Sequence, residues 1–293
     1  MRVIDTSAAM QDTDPLILHG PLAPEQPLVL DSPHSGGVRP ADFGSVLDDA
    51  ALRTAEDSFV DELYRPATQR GVPLLAAQWS RVYLDVNRLA DDIDPELLDA
   101  PWPGSLTPSG KARLGKALLW RTLDDGRPVY ARRLGVAEVQ QRIARCHAPY
   151  HAMLRRLLDA AHARFGHVLH VNCHSMNAVA GAQGEGGAVV ARADFVLGDR
   201  DGTTCDPALT RFVHDTLRGL GYDVRINDPF KGVALVQAYC APAARRHSLQ
   251  IEINKRLYMD EATRQRHAGF ASLQQHLMQL VDALLARAGA RSR

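Results

Sequence analysis

Residues 168–174 read Val-Leu-His-Val-Asn-Cys-His, and this stretch decides the fold. Its β-branched and apolar residues predict a strand rather than a helix. Alternation along the strand would place His170, Asn172 and His174 on one face and apolar residues on the other. Four residues of strand span roughly 13 Å, so His170 and His174 cannot both bind one ion. We therefore interpret His170 as a hydrogen-bonded interior residue, and His174, at the strand's end, as a candidate metal ligand.

Apolar strands and helical patterns alternate along the rest of the chain. Further strands are predicted at about residues 27–34, 72–76, 81–85, 193–197 and 247–254, and helices at about 50–70, 112–121, 136–165 (kinked near Pro149), 207–220 and 261–287. This alternation is typical of one α/β domain around a largely parallel or mixed sheet. We expect a single domain over residues 1–293, with residues 1–25 as an N-terminal arm rich in Asp and Pro.

The composition is that of an ordinary soluble protein. Of the 293 residues, 45% are hydrophobic and 23% are charged, and 34 Lys and Arg balance 34 Asp and Glu. This neutrality argues against a nucleic-acid partner, which would favour a basic excess. No run of about 18 apolar residues predicts a membrane span, and residues 1–20 do not resemble a signal peptide. The four cysteines are widely spaced, which predicts reduced thiols in a cytoplasmic protein.

Two histidines lie at strand ends, where ligands bind in open α/β sheets. His34 follows the first predicted strand in Ser-Pro-His-Ser-Gly-Gly, and His174 ends the strand quoted above. A neutral imidazole is a common zinc ligand, although a single histidine is more often structural. The pair therefore leaves a metal site and a structural role as equal alternatives.

An oxygen or nitrogen ligand is expected to complete such a site. Asp57 and Asp61 lie four residues apart on a helix predicted to begin near Thr54. Asp57 is either a metal ligand or an acidic residue that stabilises the first helical turn, and spacing does not separate the two. We interpret Asp61 as a solvated helix residue and Glu56 as a weaker candidate ligand.

Other polar residues in strand patterns are candidates for catalysis and substrate binding. Glu252 lies on the polar face of a strand predicted late in the chain. Either this strand is an edge strand with one face in solvent, or Glu252 is a general base that faces a cleft. Arg88, with Asn87 beside it, follows a strand pattern and would clamp a substrate carboxylate. The alternative is a surface ion pair between Asp85 and Arg88.

Two weaker motifs favour supporting roles. His147 and His151 are spaced by four on a helix, but Pro149 and nearby arginines favour a structural role for His147. The glycine-rich segment 181–187 lacks the Gly-Lys-Ser/Thr ending of a phosphate-binding loop, so we interpret it as a flexible cover over the site.

Taken together, an ordered set of motifs resembles the N-formylglutamate amidohydrolase (N-formylglutamate deformylase) family over about residues 27–262. The matching segments are Ser32–Gly36, Glu56–Leu63, Ser80–Arg88, Pro149–His151, Asn172–Met176, Asn227–Gly232 and Gln250–Tyr258. The family resembles zinc carboxypeptidases and aspartoacylases. The resemblance therefore implies a three-layer α/β/α fold with a central mixed, largely parallel sheet.

The resemblance also implies a metal site with a catalytic glutamate. One zinc ion, with cobalt or manganese as alternatives, would be held by His34, Asp57 and His174. Glu252 would match the catalytic glutamate, and Asn87 and Arg88 would match the pair that grips the substrate carboxylate. We therefore expect a metal-dependent amidohydrolase that cleaves an N-formyl or N-acyl amino acid, with N-formylglutamate as the first choice.

The chain departs from the family pattern after residue 232. A second glycine is replaced by Val233, and an Arg-His pair by Gln237 and Ala238. Loss of the arginine would remove one partner for a dicarboxylate substrate. The identity of the N-acyl amino acid therefore does not follow from the sequence. Two rival functions remain: a non-catalytic protein that binds acidic metabolites, and a metal-free cysteine hydrolase that uses Cys173, Cys205 or Cys240.

Overall fold

The computed structural model describes residues 14–179 and 190–290. Within them, seven strands form one sheet in the order β1-β3-β2-β4-β7-β5-β6. The strands are β1 (Leu16–His19), β2 (Leu28–Ser32), β3 (Leu74–Ala77), β4 (Val168–Met176), β5 (Phe195–Gly198), β6 (Val224–Ile226) and β7 (Arg246–Asn254). The four central strands are parallel, and β1 and β5 are antiparallel to β3 and β7. The predicted mixed, largely parallel sheet is confirmed.

Helices cover both faces of this sheet. They are α1 (Asp49–Leu52), α2 (Val60–Tyr64), α3 (Val136–Arg142), α4 (Ala148–Phe165), α5 (Pro207–Gly219), α6 (Ala234–Ala238) and α7 (Gly269–Ala290). Alternation in β2 sends Leu28 and Leu30 into an apolar cluster with α2, α5 and α7. Val29 faces the opposite cluster, which contains α4. The three-layer α/β/α arrangement is therefore confirmed.

The single helix predicted over residues 50–70 is wrong. The helical segment that begins with α1 ends at Ala55, and α2 begins only at Val60. Between them the backbone turns through Phe59 in a left-handed conformation, with φ of 68°. Such a φ is costly for a residue with a side chain, so the surrounding contacts must hold it. Apolar periodicity continued across the break because Phe59 and α2 pack against the same cluster.

The strand predicted at 81–85 is also wrong. The segment is a turn, in which the Tyr83 N–H donates to the Ser80 carbonyl at 3.0 Å. Its apolar residues are buried as a continuous run, and such a run does not by itself distinguish a strand from other buried backbone. The helix predicted at 112–121 is likewise only one short turn, Ala112–Leu114, which ends at Gly115 with φ of 68°.

Three smaller differences concern element ends. The helix predicted over 136–165 is interrupted by a π-helical turn at Ile143–His147, and Pro149 lies in the first turn of α4. The last helix begins at Gly269, not at residue 261. Part of the expected N-terminal arm, β1, is an edge strand of the sheet. The glycine-rich segment 181–187 lies outside the described residues.

No helix in residues 14–179 and 190–290 is long and apolar enough to cross a membrane.

Candidate metal centre and active site

His34, Asp57 and His174 converge at the carboxyl ends of β2 and β4. Oδ2 of Asp57 lies 3.4 Å from Nδ1 of His34 and 3.0 Å from Nδ1 of His174. The three candidate ligand atoms all lie within 4.8 Å of one another, and all three residues are buried. Two imidazole nitrogens and a carboxylate oxygen form a donor set that zinc commonly takes.

The break between α1 and α2 is what brings Asp57 to the histidines. In place of helical hydrogen bonding, the N–H of Asp57 donates to the carbonyl of His34 at 3.0 Å. The adjacent carbonyl of Ser58 accepts a hydrogen bond from the hydroxyl of Tyr258 at 3.0 Å. Asp57 therefore lies on a non-helical segment that is hydrogen-bonded at two successive residues, and the helix-start role considered for it does not apply.

Asp85 orients His34 from behind. Its Oδ1 lies 2.7 Å from Nε2 of His34, and its Oδ2 accepts from Nη2 of Arg81 at 2.8 Å. Burial would raise the pKa of Asp85, but Arg81, His34 and Arg88 lower it well below its usual range, so it is an ionised acceptor. Nε2 of a neutral His34 must then carry the proton, which leaves a lone pair on Nδ1. Carboxylate–histidine pairs of this kind are typical behind metal ligands.

Nδ1 of His34 supports a metal in this place. It is buried and makes no hydrogen bond to the described residues. An unpartnered buried nitrogen is unfavourable, and here it faces the carboxylate of Asp57. A cation between the two groups would satisfy both, so the residues fit a metal ion.

His174 has two hydrogen-bonding choices at its other nitrogen. Oδ1 of Asn172 lies 2.8 Å from Nε2 of His174, and Nδ2 of Asn87 lies 2.9 Å from it. With the proton on Nε2, His174 donates to Asn172 and its Nδ1 lone pair faces Asp57, as metal binding requires. With the proton on Nδ1, the ring donates to Asp57 at 3.0 Å and accepts from Asn87.

The pKa of Asp57 keeps it ionised in this setting. Burial alone would raise the pKa of Asp57, but the neighbouring imidazoles of His174 and His34 bring it well below the usual range. Asp57 can therefore act as an anionic ligand at neutral pH.

Glu252 lies beside His174 on the neighbouring strand. The two residues are register partners in the parallel pair of β4 and β7, so their side chains lie on the same face of the sheet. The backbones of neighbouring strands are about 5 Å apart. Oε1 of Glu252 accepts a hydrogen bond from Nε2 of Gln250 at 2.8 Å. Burial, together with the negative charge of Asp57, raises the pKa of Glu252. Because β7 is a central strand, the alternative of a wet edge-strand face is wrong.

Asn87 and Arg88 are held by the two helix histidines. His147 lies 2.9 Å from the carbonyl of Arg88, and His151 lies 2.8 Å from the carbonyl of Val86. The histidine pair thus has the structural role expected of His147. Asp85 and Arg88 do form the ion pair considered as an alternative, with 3.9 Å between Oδ2 and Nη1, but both residues are buried and not on the surface.

The side chains of Asn87 and Arg88 are not equally available to a ligand. Oδ1 of Asn87 accepts from the N–H of Leu235 at 3.0 Å, while its Nδ2 faces His174. Nε and Nη1 of Arg88 donate to the carbonyls of Lys116 and Asn87, at 3.2 and 2.9 Å. No hydrogen bond from Nη2 of Arg88 reaches any of the described residues.

One cavity of about 440 Å³ joins these groups. His34, Asp57, His174, Glu252 and Arg88 all line it. Seven Lys and Arg residues but only three Asp and Glu residues contribute to its walls. A neutral protein therefore has a locally cationic cavity, which favours anionic ligands.

A comparison with known proteins identifies the family. The family model for N-formylglutamate amidohydrolase matches residues 26–259. The chain belongs to the N-formylglutamate amidohydrolase family. It is therefore a hydrolase that acts on an amide, as the motifs predicted, and its ligand is a small molecule. The fold and the motif order agree with this assignment.

Individual members of this family resemble the chain over most of its length. An N-formylglutamate deformylase of Pseudomonas aeruginosa is 31% identical over 80% of this chain and 83% of its own, and one of Pseudomonas putida is 29% identical over 89% and 92%. The crystal structure of N-formylglutamate amidohydrolase from Ralstonia eutropha JMP134 has a TM-score of 0.86 and 48% identity, covering 94% of this chain and 98% of its own.

The other candidate ligands are engaged elsewhere. Oε1 of Glu56 accepts from Nη2 of Arg39 at 2.7 Å. Asp61 pairs with Arg65 at 2.9 Å and is partly exposed, as expected of a solvated helix residue. Among the described residues, only Asp57 joins the two histidines in a potential metal site.

Sequence reasoning missed the residues that support the site from behind. Asp31 is fully buried; its Oδ1 lies 2.8 Å from Nε2 of His170, and its Oδ2 accepts from the hydroxyl of Tyr150 at 2.7 Å. Asp85 was considered only as a surface residue. Both aspartates lie inside or directly after an apolar strand pattern, and this position was the available signal. It indicates a buried carboxylate, which requires hydrogen-bond or charged partners.

Proposed function

We propose that this member of the N-formylglutamate amidohydrolase family hydrolyses the amide of an N-formyl amino acid, N-formylglutamate in the first place, to formate and the free amino acid. The observation that carries the proposal is Nδ1 of His34, which has no hydrogen-bond partner among the described residues and lies beside Asp57 and His174 in one cavity with Glu252. The names of the relatives supply the substrate.

We assign His34, Asp57 and His174 as ligands of one divalent ion, zinc by the nature of the donors. Three protein ligands are typical of catalytic zinc sites, which keep a position for a non-protein ligand. When bound, such an ion lowers the pKa of a water and polarises a carbonyl. Asp85 fixes the proton of His34 on Nε2, so that Nδ1 is ready to bind.

Glu252 is the proton carrier in this proposal. Its register with His174 on the neighbouring strand supports this role, as does the hydrogen bond from Gln250 to one of its oxygens. Glu252 takes a proton from the attacking water and delivers it to the nitrogen of the leaving amine. Its raised pKa makes the carboxylate a stronger base toward the attacking water.

Arg88 holds the carboxylate of the amino acid. It lines the cavity, and the carbonyls that accept from its Nε and Nη1 fix the plane of the guanidinium. A fixed carboxylate in turn orients the scissile amide toward Glu252 and the metal ligands. Asn87 holds His174 and the backbone of Leu235, so we assign it to the cavity wall.

The departures at Gln237 and Ala238 do not weaken the proposal. Both residues are exposed, and neither is among the residues that line the cavity, whereas Val233 is. The cationic lining still favours a substrate with more than one negative charge. A dicarboxylate such as N-formylglutamate meets this requirement.

The cysteines do not favour the metal-free alternative. Burial raises the pKa of Cys205 to about 12 and the pKa of Cys173 well above its usual value, and it raises the pKa of Cys240 as well. A nucleophilic cysteine needs a lowered pKa and an accessible thiolate. None of the three lines the cavity that contains Glu252.

Release of formate tests the proposed function. Purified protein, supplied with zinc, is assayed with N-formyl-L-glutamate, N-formyl-L-aspartate, N-formyl-L-glutamine and N-acetyl-L-glutamate, with detection of formate or free amine. We expect the highest kcat/KM for N-formyl-L-glutamate. Binding of these compounds without turnover of any would support a non-catalytic metabolite-binding protein instead.

A further inference from the structure

Lys255 carries a buried positive charge at the wall of the active-site cavity. The residue is only 3% exposed, and its Nζ donates to Oδ1 of Asn177 at 2.9 Å. Both residues line the cavity. Among residues 14–179 and 190–290, no carboxylate pairs with this nitrogen. A buried ammonium with only a neutral amide as partner is unfavourable, and an anion in the cavity would compensate it.

Two other cations of the cavity have carboxylate partners. Nη2 of Arg81 lies 2.8 Å from Asp85, and Nζ of Lys231 lies 2.9 Å from Asp201. Lys255 differs from them because its partner is uncharged. Lys255 therefore has more to gain from an anionic ligand than Lys231 has.

Lys255 and Arg88 belong to different segments of the chain. Lys255 directly follows β7, three residues after Glu252, whereas Arg88 lies on the segment after β3. Lys255 and Arg88 thus reach the cavity from two separate elements. Two cations on separate elements match a ligand with two carboxylates better than a ligand with one.

Electrostatics around Lys255 agree with an anion-binding role. Burial lowers the pKa of Lys255, and the negative charge of Asp57 opposes this effect only in part. A bound carboxylate would stabilise the charged form further, since an opposite charge nearby favours ionisation.

We propose that Lys255 binds the side-chain carboxylate of an acidic N-acyl amino acid, while Arg88 holds the α-carboxylate. The inference rests on the proposed function and names the residue that selects an acidic side chain. It predicts that the enzyme discriminates between glutamate and glutamine derivatives through the hydrogen-bonded ion pair between Lys255 and the side-chain carboxylate.

Kinetics of Lys255→Met and Lys255→Arg test this role. With N-formyl-L-glutamate, Lys255→Met should raise the KM about 10- to 100-fold, as expected for loss of a charged hydrogen bond, with little change in kcat. With N-formyl-L-glutamine the variant should behave as wild type, and Lys255→Arg should recover most of the loss. Arg218→Met is the matched control, because Arg218 is an exposed residue, paired with Asp223 at 3.5 Å, that does not line the cavity.

Direct binding separates this inference from the proposed function. Calorimetric titration of the zinc-supplied protein with L-glutamate and L-glutamine requires no turnover. Wild type should bind L-glutamate more tightly, and Lys255→Met should lose about 10- to 100-fold in that affinity alone. Equal loss with both ligands, a fall in kcat without a change in KM, or no preference of wild type for L-glutamate would each overturn the inference. Absence of turnover with the binding preference intact would overturn only the proposed function.

Discussion

Asp31 accepts a hydrogen bond from the side-chain amide of Asn172, with 2.8 Å between Oδ1 and Nδ2. A carboxylate can only accept, so this contact turns the Asn172 carbonyl oxygen toward Nε2 of His174. That oxygen favours the tautomer of His174 in which Nδ1 has a free lone pair. Asp31 thus supports the proposed metal site through two intervening hydrogen bonds, without touching any ligand itself.

Asp31→Asn should therefore weaken metal binding. An asparagine can donate as well as accept, so Asn172 would no longer be fixed with its oxygen toward His174. We expect the zinc dissociation constant to rise about 10-fold, at the low end of what residues behind metal ligands contribute. Competition with a chromophoric chelator measures it, and Asp282→Asn, far out on the exposed face of α7, serves as the control. Unchanged zinc affinity in a folded Asp31→Asn protein would exclude this support.

Glu252→Gln should slow turnover strongly while the metal stays bound. The amide keeps the shape of the side chain but cannot carry the proton, and general acid–base catalysis contributes about 10²- to 10⁴-fold. We expect kcat to fall by that factor with zinc content equal to wild type. Glu96→Gln, at a side chain that is 72% exposed, is the matched control and should be unaffected. Full activity of zinc-loaded Glu252→Gln would remove Glu252 from this role.

Arg88→Gln should act mainly on substrate binding. Loss of the guanidinium removes the proposed partner of the α-carboxylate, so we expect KM for N-formyl-L-glutamate to rise about 10- to 100-fold. The C-terminal amide of the same substrate lacks this carboxylate and should be hydrolysed equally by both proteins. Equal losses on both substrates would instead indicate that Arg88 supports the fold of the Asp85–Arg88 turn.

Native thiol alkylation should leave activity unchanged. Burial raises the pKa of all four cysteines, including Cys146, whose pKa is raised to about 12. Iodoacetamide reacts with thiolates, so little modification is expected at neutral pH. Mass spectrometry measures the modification beside the formate assay. Loss of activity in step with alkylation of one cysteine would revive the metal-free alternative.

The sequence predicts the sheet and the strand-end positions well. The alternation around His174 and Glu252 is local, so it is readable from single residues, and the two strands then pair in the structure. Asp57 is different, because its place depends on the break before Val60. That break is stabilised by a hydrogen bond to His34, which no local pattern reveals.

The supporting carboxylates could not be predicted for a related reason. Asp85 lies after an apolar run that resembles a strand but folds as a buried turn. Its contact with His34 spans 51 residues of sequence. Long-range hydrogen bonds of this kind depend on the tertiary arrangement, which periodicity and turn chemistry do not contain.

Metal content measured together with chelation tests the central claim most directly. Elemental analysis of the purified protein should find about one divalent ion per chain, and His34→Ala should lose it. Treatment with a strong chelator should abolish formate release, and zinc, cobalt or manganese should restore it. A protein that holds no divalent ion, gains no activity from any of the three metals and still releases formate after chelation would contradict the account.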